Sequence, residues 1–86
     1  MSVDPRAAFE ATSDAAQRIA GVIAARSRGD LIGAEALLAS MDDRTRAAGA
    51  LLLADLAVSL YAHGQDRPVV DVAGELSLDL AALGDR

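Results

Sequence analysis

Apolar residues recur every three or four positions along most of the chain, and each break in this pattern carries its own turn or capping residues. Such spacing places the apolar side chains on one face of an α-helix. The first helix opens on Asp4-Pro5, a capping acceptor followed by a proline at N1, and ends before Gly29. The breaks together predict four helices, at about residues 5–28, 31–41, 43–63 and 67–83.

The later helix starts follow the same chemistry. Asp30 is predicted to cap the second helix, Asp42 or Asp43 the third, and Asp66 the fourth, because a carboxylate accepts a hydrogen bond from a free N–H of the first turn. The third helix is apolar on nearly all sides, which predicts burial against several neighbours. Mid-helix glycines each cost helix stability and predict close helix crossings; they are Gly21, Gly33, Gly49 and Gly74.

Each helix has a predicted inward face. In the first it includes Phe9, Ala16, Ile19, Val22 and Ile23; in the second, Leu31, Ala34, Leu37, Leu38 and Met41; in the fourth, Val69, Val72, Ala73, Leu76, Leu80 and Leu83.

Two glycine turns, Gly29-Asp30 and Gly64-Gln65, lie 35 residues apart. A helix–turn–helix repeat of about this length is typical of helical-hairpin arrays. We therefore predict an all-α fold, a four-helix antiparallel bundle made of two helical hairpins, within a single domain over residues 1–86.

The segment 15–41 resembles a tetratricopeptide unit. It carries the turn Arg28-Gly29-Asp30 between two helices, and the small residue Ala34 follows four positions after Asp30. The resemblance implies a scaffold that binds peptides or other proteins in a groove. Two hairpins are fewer than the three or so repeats that such a stack needs to cover its core.

The apolar content is high for so short a chain: 52% of 86 residues. A small domain buries a limited share of its surface, so we expect an exposed apolar face covered by a protein partner, in the first place a second copy in a homodimer. Tyr61 is the expected anchor because aromatic residues concentrate in interface hot spots. The full predicted interface is Leu52, Leu56, Leu60, Tyr61, Leu76 and Leu80.

The net charge is −5, and all eight basic residues are arginine. This composition is typical of the GC-rich genomes of actinobacteria and their phages. An acidic chain is poorly suited to neutralising phosphates, so nucleic acid is an unlikely partner. Two alternatives stay open. A small nucleic-acid-binding regulator could use Arg26, Arg28, Arg44 and Arg46, which are expected at one end of the bundle. A basic partner could dock on the acidic stripe of Asp71, Glu75 and Asp79, which is otherwise a solvated face.

Catalytic chemistry is not predicted. Asp55, Ser59 and His63 share a helix face at intervals of four, but a hydrolytic triad needs the histidine between the serine and the acid. One histidine and no cysteine leave no usual metal site. We expect no cofactor, no metal and no small-molecule ligand.

The location is predicted to be cytoplasmic. The first residues lack the apolar stretch of a secretory signal. Residues 47–65 carry a single formal charge, Asp55, which disfavours insertion into a membrane. The expected role is that of an adaptor, a regulator or a phage accessory factor.

Overall fold

A computed structural model of the chain describes residues 4–85. They form four α-helices and no strand: α1 Pro5–Ser27, α2 Leu31–Ala39, α3 Asp43–Gly64 and α4 Val69–Gly84. The all-α prediction is confirmed. The described residues up to Ala54 group into one compact unit and those from Asp55 into a second, so α3 contributes its first half to unit 1 and its second half to unit 2.

Three of the predicted helix starts carry the expected carboxylate cap. The amide of Arg6 donates to Asp4 Oδ1 at 3.1 Å, and that of Gly33 donates to Asp30 Oδ1 at 2.8 Å. At the start of α3, the amide of Thr45 donates 2.8 Å to Asp42 Oδ1. Each bond satisfies a first-turn N–H that has no partner within the helix.

The turn before α2 depends on one glycine. Gly29 follows the last residues of α1 with φ +76°, a left-handed conformation that residues with a Cβ seldom adopt. The amide of the next residue, Asp30, donates back to the carbonyl of Ala25 at 2.8 Å. This closing pattern ends α1 and turns the chain directly into α2.

The predicted start of α4 is wrong by two residues. Asp66 does not cap the helix, because its backbone is left-handed with φ 53°. Pro68 is the N-cap instead, in an extended conformation and with no side-chain hydrogen bond to the first turn. Proline fixes its own φ and disfavours helical backbone in the preceding residue, so the helix cannot include Arg67.

Unit 1 has a small core between α1 and α2, formed by Val22, Ala25 and Ala34 with Leu37 and Leu38 packed against it. The predicted inward faces are only partly correct. Phe9, Ile23 and Leu31 are 64%, 53% and 65% exposed. The buried face of α1 instead includes Ala15 and Ala25, because small residues let its neighbours approach closely.

Unit 2 has an even smaller core. Its buried apolar residues are Ala62 of α3 and Val72 of α4. The predicted burial of α3 on several sides is wrong, since only 11% of its most apolar stretch is buried. Within unit 2, Leu56 and Leu60 of α3 are exposed because α4 and the turn before it supply few neighbours to cover them.

Candidate interaction surface

An apolar groove runs between the second half of α3 and α4 in unit 2. Its volume is about 210 Å³. The lining positions recur at three- and four-residue intervals, which is why single faces of the two helices can build both walls. The lining residues are Ala57, Val58 and Tyr61 on α3 and Val72, Glu75, Leu76 and Asp79 on α4. We call this the α3–α4 groove.

Unit 2 also exposes several large apolar side chains. Five of the six residues predicted at the interface lie in unit 2 and are exposed by 41% to 65%: Leu56, Leu60, Tyr61, Leu76 and Leu80. Tyr61 and Leu76 also line the groove itself. The sixth, Leu52, is half-buried and belongs to unit 1. The structure thus brings most of the predicted residues onto one unit.

The acidic stripe of α4 is partly neutralised from within unit 2. Arg67 donates to Glu75 at 2.6 Å. This hydrogen bond and the carboxylate charge raise the pKa of the Arg67 guanidinium, and Asp71 adds to the effect. Arg67 therefore offsets the repulsion among carboxylates four residues apart. Asp79 lies further along, at the α3–α4 groove.

A second apolar groove lies in unit 1, between the last turns of α1 and the side of α2 that faces α1. Its volume is about 470 Å³. The lining residues are Ile19, Val22, Ile23 and Arg26 on α1 and Leu31, Ala34, Glu35 and Leu38 on α2. We call this the α1–α2 groove. Sequence reasoning missed it by placing Ile23 and Leu31 in the core. Their exposure could have been predicted from their position on either side of the Gly29 turn, because a tight turn provides few residues to cover the side chains near it.

The four arginines are not brought into one cluster. Arg26 and Arg28 precede α2, whereas Arg44 and Arg46 follow it, and a helix of 9 residues, about 13 Å, lies between the pairs. Arg46 is already engaged: it donates to the carbonyl of Leu38 at 3.0 Å and pairs with Asp43. The cause is the chain topology, because the turns before and after α2 lie at opposite ends of that helix.

The polar seam of Asp55, Ser59 and His63 lies exposed on α3. Its serine stands in the middle, so the histidine cannot bridge serine and acid. Among residues 4–85, no group of three acidic or histidine side chains could hold a metal ion. No buried polar side-chain atom in this part of the chain lacks a hydrogen-bond partner. We see no arrangement here that activates a nucleophile.

The length and composition of α3 also suffice to cross a membrane. Core helices of soluble proteins share this length and composition, although α3 is mostly exposed. Asp55 stands near its midpoint, and a carboxylate at the centre of a bilayer costs about 2.5–3.5 kcal/mol on insertion scales.

Comparisons of the chain with protein-family models, curated proteins and solved structures gave no match. The resemblance to tetratricopeptide units therefore stays one of local pattern.

Proposed function

We propose that this protein is a small, non-enzymatic, cytoplasmic interaction module that self-associates through the apolar face of unit 2. The face comprises Leu56, Leu60 and Tyr61 of α3 with Leu76 and Leu80 of α4. Its exposure is the observation that carries the proposal.

The buried side chains are too small to balance that exposure. Among the described residues, the seven buried apolar ones include four alanines, and Met41 has the longest side chain of the set. Burying an apolar side chain contributes about 25 cal/mol per Å² removed from water, so alanines contribute little. The large apolar side chains that could stabilise the fold are the ones left in water.

A second copy is the partner of choice because two-fold homodimers are the commonest oligomers. In this proposal, the two predicted antiparallel hairpins build a four-helix bundle whose apolar faces the second copy completes.

The single tyrosine gives a direct test. The chain has no tryptophan, so its intrinsic fluorescence reports Tyr61, which is 53% exposed. Acrylamide quenching should weaken as protein concentration rises, since self-association covers the ring. The variant Leu60→Ser should keep the strong quenching of the dilute protein over the same range. Quenching that is strong and independent of concentration in the unaltered chain contradicts the proposal.

A further inference from the structure

The α1–α2 groove is long enough to accommodate one short row of side chains from another helix. Its α1 wall extends from Ile19 to Arg26 and its α2 wall from Leu31 to Leu38. Each wall covers a rise of seven residues, about 10 Å along a helix. The walls are apolar apart from one charge on each side, Arg26 on α1 and Glu35 on α2.

A ridge of matching length lies on α4. Leu76, Leu80 and Leu83 are 41%, 65% and 60% exposed, and their spacing of i, i+4, i+7 is the anchor pattern of helices that bind in grooves. From the first leucine to the last, the rise is again about 10 Å. In the groove, Ile23 and Leu31 are likewise 53% and 65% exposed.

The charges beside the ridge fit one orientation. Viewed along the helix, the carboxylates of α4, including Asp79, lie on one side of the ridge, and the small residues Ala73 and Ala81 lie on the other. If the acidic side follows the α1 wall, Asp79 meets Arg26. Glu35 of the opposite wall then faces the alanines and not a carboxylate.

We propose that the Leu76–Leu80–Leu83 ridge of one copy packs into the α1–α2 groove of a second copy, with Asp79 of the ridge paired to Arg26 of the groove. The inference rests on the proposed self-association and specifies where the α4 part of the proposed face, Leu76 and Leu80, makes contact. It adds Leu83 to that part, and the α3 residues of the face form the rest of the interface. In a two-fold dimer the contact occurs twice, because each copy offers both a ridge and a groove. It combines apolar burial with a charge pair that fixes orientation.

A charge exchange tests the pairing. Arg26→Glu and Asp79→Arg each place like charges together twice per dimer, so each variant should weaken self-association roughly tenfold or more. The double variant restores opposite charges and should regain an affinity close to that of the unaltered chain. Arg28→Glu and Asp85→Arg make the same charge changes away from the contact and should leave the affinity nearly unchanged. Circular dichroism of each variant checks that the helices are intact, as expected for exposed positions.

The outcomes separate the two proposals. A chain that stays monomeric up to high concentration overturns both. Self-association that ignores the single variants, or that the double variant fails to restore, overturns the Asp79–Arg26 contact and leaves self-association standing. In that case dimers joined through two α3–α4 grooves become the explanation. Binding that needs a different protein, with no self-association, also overturns the inference.

Discussion

Gly49 of α3 lies directly against Ala15 of α1 in unit 1. A Cβ placed on Gly49 would stand 2.7 Å from the carbonyl carbon of Ala15 and 2.8 Å from its Cβ. Both are closer than van der Waals contact allows, and the backbone at Ala15 has no flexible end that could move aside. The absence of a side chain at Gly49 is thus a condition for this crossing of α1 and α3.

We predict that Gly49→Ala destabilises the protein. The substitution adds helix propensity of about 1 kcal/mol, but overpacking costs about 1–3 kcal/mol, so the net loss should be up to about 2 kcal/mol. Urea unfolding followed by circular dichroism measures it. The matched control is Gly74→Ala in α4, where a Cβ meets nothing within 4 Å. That control should gain up to about 1 kcal/mol. Equal effects at the two positions would contradict the close crossing.

The four mid-helix glycines show what sequence could predict. A close crossing was expected at each of them, and Gly49 confirms it. Gly21 faces the side chain of Leu37 at 3.1 Å, a milder approach. At Gly33 the neighbour is the capping carboxylate of Asp30, and at Gly74 there is open space. Helix propensity signals that a glycine is unusual in a helix, but the neighbour that explains it depends on tertiary packing.

The stability of the first turn of α3 should depend on the ionisation of Asp42. The hydrogen bond from the Thr45 amide lowers the pKa of this carboxyl below its ordinary 3.8, because the bond favours the charged form. A lowered folded-state pKa gives stability that is present above pH 4 and is lost as the pH falls through the folded-state pKa. Asp42→Asn keeps an acceptor without the charge, so its melting temperature should fall less than that of the unaltered chain on acidification below pH 4.

Asp42→Ala is the companion variant. It removes the acceptor and should lower the melting temperature at neutral pH as well, because the Thr45 amide loses its partner. A melting temperature that is the same for all three proteins across the pH range would mean that this cap does not contribute.

Substitution of the exposed leucines should separate the interacting face from the rest of α4. Leu80 and Leu78 are 65% and 73% exposed, but two residues apart on a helix they point to opposite sides. Leu80→Ser should weaken self-association roughly tenfold or more, as loss of a buried interface leucine does. Leu78→Ser should have little effect. Analytical ultracentrifugation compares them, and a larger loss with Leu78→Ser would place the interface on the other side of α4.

Membrane binding by α3 is expected to be absent despite its length. In flotation with neutral phosphatidylcholine vesicles, the protein should stay in the aqueous fraction because Asp55 opposes insertion. Asp55→Leu removes that charge and should shift part of the protein to the vesicles. If the unaltered chain floats with the vesicles, the exposed apolar surface of α3 binds a lipid bilayer and not a second protein.

The helix ends were more predictable than the helix faces. Asp4, Asp30 and Asp42 cap their helices as their local sequence indicates, since capping involves only a few neighbouring residues. The burial of Ile23, Leu31 and most of α3 was predicted wrongly. Helical spacing identifies an apolar face, but whether anything covers that face depends on distant parts of the chain. For the same reason, the sequence could not predict the α1–α2 groove.

Sedimentation equilibrium of the unaltered protein over a wide concentration range tests self-association most directly. We predict that the mean mass rises from that of one 8.8 kDa chain towards twice that value. It should do so with little dependence on salt compared with a complex held by phosphate contacts. A mass that stays at one chain across the whole range would contradict the account.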